Sequence, residues 1–336
     1  MNRREVITVL GGAAAALPSV TLAQEVGRTY RLGFLNPAPR ESVAVAALFD
    51  ELRLNGFIEG KNLTVIPEGF EIRNEQVAER AAELVKAAPD TILAGPELPL
   101  RALQALTRTV PLVGMTEDML AAGLVTSLAR PGGNITGISL LSPELDGKRQ
   151  DILHEAIPGA RRMAALADSN VTRSHLQALQ EAAQRRGIEL SVIGVAGPEE
   201  IVPAINSAKA AGAEAINFLA SPLFSVPGTR NNIVVTERVA DLRLPAIYQW
   251  PETAESGGLM GYGPRFTQVW RQRARLIVKI FRGISPADLP VEQPTNFELV
   301  INLKTAKLIG HDVPAGGAGQ TLRPSQHRVR PRTAKP

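Results

Sequence analysis

The chain has 336 residues, 44% of them hydrophobic and 21% charged, which excludes a disordered polymer and leaves room for two domains with real cores. It contains no cysteine, which excludes disulfides, thiol catalysis, thiolate metal sites and a lipid-modified N-terminal cysteine. The formal charge of +4 belongs to the ends: residues 1–23 carry +1 and residues 311–336 carry +4, so residues 24–310 are left at −1, without the basic footprint of a nucleic-acid binder.

Residues 1–23 read as an export signal. Arg3-Arg4 supply a basic start, 6–17 are uncharged and apolar, Pro18-Ser19 break the run, and Ala23 is the small residue expected before cleavage. The apolar run is shorter than the roughly 20 residues that cross a bilayer. An exported chain without a lipid anchor points to a periplasm, and Arg3-Arg4 admits the twin-arginine route beside the general one.

Beyond the signal, strand and helix alternate. Residues 30–35 read as a strand ending at Asn36, and 41–55 as an amphipathic helix stopped by Gly56. A second strand covers 62–67, and Asn74 is placed to cap a helix bearing Ala78, Ala81, Leu84 and Val85. The strand 91–94 ends at Gly95-Pro96, a helix follows over 100–107, and 110–114 is a strand running into Met115 and Thr116. After the turn cluster 130–134 comes a strand over 135–140. The alternation then restarts, with helices at 145–156, 172–186, 198–211 and 231–242 and strands at 163–167, 188–195, 214–220, 244–248 and 259–263. A helix at 266–281, a strand at 297–302 and a short helix at 304–309 complete the body. This pattern implies two α/β units in series, each a parallel sheet covered on both faces, with a boundary near 141. Residues 311–336, rich in Gly, Pro and Arg, read as a disordered tail.

Few motifs of catalysis appear. The four histidines are far apart in sequence, with no zinc-binding pair, and neither a nucleophile elbow, a phosphate-binding P-loop nor a dinucleotide fingerprint follows any strand. No cofactor is expected, and an enzyme is the weaker reading. What remains is polar loops at the carboxyl ends of the expected parallel strands, where open α/β sheets bind ligands. They are Asn36; Gly95, Pro96 and Glu97; Thr116, Glu117 and Asp118; Asp168, Ser169 and Asn170; Ser221 and Pro222; and Tyr248. Each residue type is also common in turns, so the signal lies in their placement in both units.

Several segments carry a family resemblance: Gly56-Phe57-Ile58-Glu59-Gly60-Lys61-Asn62, Arg130-Pro131-Gly132-Gly133-Asn134-Ile135-Thr136-Gly137, Gly257-Gly258-Leu259-Met260, and above all residues 286–307. In these the chain resembles the family of ABC transporter substrate-binding proteins that includes tryptophan- and tyrosine-type binders. The resemblance implies a two-lobed periplasmic-binding-protein fold of type I with three hinge crossovers. One lobe would comprise 30–141 plus 264–284, the other 142–262 plus 287–310. It implies a monomer that closes on a small molecule and is read by a membrane permease with its ATPase, with no nucleic acid and no membrane insertion of the mature chain. In members that bind amino acids, hydroxyls and backbone N–H groups hold the carboxylate, a role that would fall to Thr116, Ser169 and Ser221. Asp118 or Glu117 would take the ammonium. Phe224, Tyr248, Trp250 and Tyr262 are the aromatics nearest the expected cleft. The loop at 168–171, the loop at 96–99 and the ending after 310 depart from the family pattern, and a shifted reading frame near Pro314 would produce that ending. The other readings are a periplasmic sensor module and an α/β transferase. A two-lobed transcription regulator is disfavoured, because a signal occupies the place of a DNA-binding headpiece.

Overall fold

The computed structural model describes residues 27–312 except 68, 141 and 170–172; the export signal at 1–23 and the tail from 313 lie outside the described residues. Eight elements open the chain: β1 (Tyr30–Leu35), α1 (Val43–Leu54), β2 (Leu63–Val65), α2 (Val77–Lys86), β3 (Thr91–Ala94), α3 (Glu97–Leu106), β4 (Leu112–Thr116) and β5 (Ile135–Ser139). Their strands form one parallel sheet in the order β2-β1-β3-β4-β5. Strand alternation decides which helix covers which face. Leu93, Val113 and Ile138 point to one side, while Ile92, Leu112 and Ile135 point to the other, where Ala81 and Leu84 of α2 and Leu100 and Leu103 of α3 cover them. Helix α1 starts where the Ser42 hydroxyl accepts from the Val45 N–H at 3.3 Å, packs Val45, Leu48 and Leu52 on the first face, and ends at Gly56.

A second sheet follows, built from α4 (Ser142–Ala156), β6 (Arg162–Asp168), α5 (Arg173–Arg186), β7 (Glu189–Val195), α6 (Ile201–Ala210), β8 (Ala215–Phe218), α7 (Pro222–Ser225), α8 (Arg230–Asp241), β9 (Ala246–Tyr248), α9 (Pro251–Glu255) and β10 (Met260–Gly263). The chain then returns to the first sheet as α10 (Phe266–Phe281), which lies beside α1. It ends with β11 (Glu298–Ile301) and α11 (Leu303–Ile309) on the second sheet, whose order is β11-β10-β9-β8-β6-β7. Three passages therefore join the sheets, before α4, before α10 and before β11.

The structure departs from the sequence reading in four places. Strand β11 is antiparallel to β10, pairing Glu298 with Gly263 and Ile301 with Met260. The third passage delivers the chain to the end of the sheet where β10 finishes, so a short link can only run back down it. Residues 287–292, read as part of the second unit, lie along β5: Glu292 N–H donates to Gly137 O at 2.9 Å, and Ser139 N–H to Glu292 O at 3.0 Å. Asn74 opens a single 3-10 turn and does not cap α2; the Gln76 side-chain oxygen accepts from the Arg73 N–H at 3.1 Å there. The short helices α7 and α9 are additional, each begun by a proline (Pro222, Pro251) whose fixed φ suits a first helical turn.

A candidate ligand cleft between two strand rims

Both sheets change strand direction of travel at an equivalent place, between β1 and β3 in the first and between β6 and β8 in the second. Adjacent carboxyl ends diverge there, and backbone groups are left for a ligand or for side chains to satisfy. In the first sheet Asn36, buried at the end of β1, spans the gap: its Nδ2 donates to Gly95 O at 3.2 Å, and its Oδ1 accepts from Ala38 N–H at 2.8 Å. In the second sheet the Ser221 hydroxyl donates to Asp168 Oδ2 at 2.8 Å and accepts from Leu223 N–H at 3.0 Å. One side-chain bridge thus closes each switch point.

The other residues expected at the site divide by what they touch. Gly95 is held at φ +153° and joined to Pro96 by a cis bond. A Cβ at Gly95 would lie 3.0 Å from Met115 O, so the β3 and β4 ends approach as closely as glycine allows. Glu97 begins α3 and pairs with Arg101 at 2.6 Å toward solvent. The buried Thr116 hydroxyl has no partner among the described residues. Asp118 Oδ1 accepts from the N–H groups of Leu120 and Ala121 at 2.9 and 3.0 Å, which fixes the turn after β4. Ser169 is exposed, its N–H bonded to Val195 O at 3.0 Å; Asn170 lies outside the described residues. Tyr248, 1% exposed, is packed in the core facing α6 and α8, its ring stacked on Phe218 with centroids 5.2 Å apart. Phe224 belongs to that same core. The alternation of β9, which turns Ala246 and Tyr248 to one face, accounts for this inward placement. Tyr262 is half-buried, with burial raising its hydroxyl pKa, and lies beside Phe297.

Two further groups occupy the rims. On the second sheet Asp146, Arg149 and Gln150 of α4, all fully buried, meet the ends of β8 and β10. Arg149 is ion-paired with Asp146, and its Nε donates to Tyr262 O at 2.9 Å, while Nη2 has no partner among the described residues. Asp146 Oδ1 also accepts from Ala220 N–H at 3.1 Å, and Asn217 Nδ2 donates to Gln150 Oε1 at 3.2 Å. Burial lowers the Arg149 pKa, and Asp146 and then Glu117 oppose that shift. Glu117 belongs to the first sheet's rim, so the attraction crosses from one sheet to the other.

On the first sheet Arg273 of α10 is 0% exposed, with Nη2 donating to Ala94 O at 2.6 Å. Among the described residues its Nε and Nη1 have no partner, nor has the indole N–H of Trp270, over whose ring the guanidinium lies at 4.8 Å. Burial pushes the Arg273 pKa down to about 9, so the group stays cationic at neutral pH. Trp250, at the end of β9, packs on Phe266 at the start of α10 with centroids 4.8 Å apart, inside the first sheet's core cluster.

This two-rim arrangement has a counterpart in a known family. The pattern of the ABC transporter substrate binding protein family matches residues 39–314. The chain belongs to that family. It is 25% identical over 264 residues to the tyrosine-binding protein of Clostridioides difficile strain R20291, a match covering 76% of this chain and 72% of that one. Among solved structures, a conserved domain protein from Vibrio cholerae superposes with a TM-score of 0.73 at 22% identity, covering 86% of this chain and 97% of that one. An ABC domain from Streptococcus pneumoniae in complex with L-Trp superposes with a TM-score of 0.69 at 19% identity, covering 85% and 96%. The fold is that of the type I periplasmic binding proteins, and the chain is a substrate-binding protein of ABC-transporter type.

The sequence reading missed Asp146, Arg149, Arg273 and Trp270, although a signal for them was present. Arg149 follows Leu145 by four positions and precedes Leu153 by four, and Arg273 lies between Trp270 and Ile277 at helical spacing. A charged residue on an apolar stripe is buried by its neighbours and must find partners there. A cavity of about 260 Å³ lies at the opposite, amino ends of β1, β3 and β4, lined by Arg28, Tyr30, Asp90 and Phe281, far from both rims. Among the described residues no group of His, Asp and Glu is placed to hold a metal ion, and no helix is long and apolar enough to cross a membrane.

Proposed function

We propose that this chain is the periplasmic solute receptor of an ABC importer, binding an amino acid or a related small acid between its two rims and delivering it to a permease driven by an ATPase. The observation that carries this reading is the family match over 39–314, together with a polar switch point on each of the two sheets. In this reading 30–141 with 264–284 form one lobe and 142–262 with 293–310 the other, and the passages between sheets are the hinge. Residues 286–292 stay with the first lobe, since they lie along β5. Asn36, Gly95, Thr116 and Glu117 then face Asp168, Ser169, Ser221 and Tyr262 across the ligand. The carboxylate goes to donors and the ammonium to an acidic group such as Glu117. Export by residues 1–23 brings the receptor to the periplasm, and no step of catalysis is needed.

The relatives support the ligand class: one is a tyrosine-binding protein, and another was solved with L-Trp. The test is a thermal-shift screen of amino acids, small aromatic acids, nucleosides and sugars on the purified mature chain. A ligand of the folded state at 100 times its Kd adds about 2.7 kcal/mol, a rise of several degrees. Melting temperatures unchanged by every compound would count against a receptor for these solutes.

A further inference from the structure

We infer that Arg273, with the indole N–H of Trp270, is the anion anchor of the interlobe site, so that the ligand enters with a carboxylate directed at the first lobe beneath the Gly95 loop. The inference rests on the receptor reading above and adds the group that selects the ligand's charge.

Three observations converge on it. The first is position. Helix α10 runs against the strands: Phe281 packs on Tyr30, where β1 begins, with centroids 4.7 Å apart, and Arg273 reaches Ala94, where β3 ends. Residues 266–270 therefore extend past the sheet's carboxyl edge, by up to about 10 Å at the helical rise. A helical side chain leans toward its helix's N-terminus, which turns Arg273 toward that same edge. Its Nη2 is 3.7 Å from where a Gly95 Cβ would lie, immediately under the loop.

The second is unspent hydrogen bonding. Among the described residues, Arg273 Nε and Nη1 and Trp270 Nε1 are three buried donors without acceptors, from side chains three residues apart on one helix face, and the Thr116 hydroxyl, at the end of the neighbouring strand, is a fourth buried group without a partner. Orphaned buried donors are rare in native proteins, and a guanidinium fork matches the two oxygens of a carboxylate.

The third is charge. Arg149 has Asp146 beside it, whereas among the described residues no carboxylate pairs with Arg273, whose pKa is lowered by burial. A buried cation without a counter-anion is costly, and an anionic ligand group removes that cost only when bound. The Trp270 ring lies against this charge, the guanidinium 4.8 Å from its centroid, which holds the cation in place for an incoming carboxylate.

The experiment compares acid with amide. L-tryptophan, L-tyrosine and 4-hydroxyphenylacetate, and the carboxamide of each, are titrated by calorimetry into the wild-type mature chain and into Arg273→Gln and Trp270→Phe. The inference expects wild type to prefer acid over amide by about 100-fold, from loss of a charge-assisted bidentate contact. Arg273→Gln should erase that preference, weakening the acids about 100-fold while amide affinities change less than threefold. Trp270→Phe, which keeps the cation and its carbonyl contacts, should weaken the acids about tenfold; it carries the test if Arg273→Gln does not fold. A merely structural arginine would alter acid and amide alike. Equal binding of acid and amide by wild type, or acid affinity unchanged in the variant, overturns the inference. Binding of sugars or nucleosides alone overturns it while the receptor reading stands, and no binding across the whole solute screen overturns both.

Discussion

Single residues on the rims carry opposed demands, and Glu252 shows the balance. It accepts from Thr267 N–H and hydroxyl at 3.4 Å, joining α9 to the start of α10, while its second oxygen is buried without a partner among the described residues. Burial raises its pKa above the ordinary carboxylate range, against the lowering effect of those N–H groups and of Arg265. The folded chain thus holds the proton more tightly than the unfolded chain, so stability falls as pH rises through the usual carboxyl range to the raised folded value. Glu252→Gln should melt higher than wild type at pH 7.5 and level with it at pH 4, as followed by circular dichroism; a gap independent of pH would refute the titration. Gly95 is constrained by geometry. Gly95→Ala would place a Cβ at φ +153° and 3.0 Å from Met115 O, costing about 1–3 kcal/mol in a denaturant melt. The need for glycine there was legible only as a turn signal, because the approaching carbonyl is 20 residues away in sequence.

Elements show a similar division. Helix α10 was legible from end to end, because its apolar positions recur every three to four residues and Gly283 stops it. Its attachment to the first sheet followed from the family resemblance and not from its own periodicity, since it follows β10 of the second sheet directly and packing against α1 and β3 fixes it. Helix α4 has a weak apolar stripe that hides its partners. Leu145 and Leu153 flank Arg149 on that stripe while Asp146 and Gln150 lie beside it, and all three polar residues are buried against β8 and β10. Removing one partner of this pair leaves the other charged and enclosed, so Arg149→Ala should cost about 3–5 kcal/mol. The double replacement Asp146→Leu with Arg149→Met should cost less than the single one, which urea unfolding of the three proteins would measure.

At the scale of the molecule, the two sheets are joined by the attraction of Glu117 for Arg149, the packing of Trp250 on Phe266, the Glu252–Thr267 contact between α9 and α10, and the covalent passages. Two lobes so joined have a closing equilibrium that a ligand touching both can bias. Glu117→Gln removes charge from one side of the Glu117–Arg149 attraction. The unliganded variant should show a larger radius of gyration by small-angle scattering than wild type and a weaker apparent ligand affinity, with the difference in shape vanishing at saturation. Identical scattering curves without ligand would show that this attraction does not hold the lobes. The sequence by itself determined the kind and order of the main elements, the short helices α7 and α9 aside, because the periods of 2 and 3.6 are local properties of side-chain direction. It also placed Asn36, Asp168 and Ser221 at strand ends, because turn chemistry is local too. Only the tertiary structure decided that β11 runs antiparallel, that Tyr248 faces a core, and that Arg149 and Arg273 are buried cations at opposing rims. Those outcomes depend on which distant segments cover a residue, and burial sets whether a charge is solvated, paired or left to seek a partner.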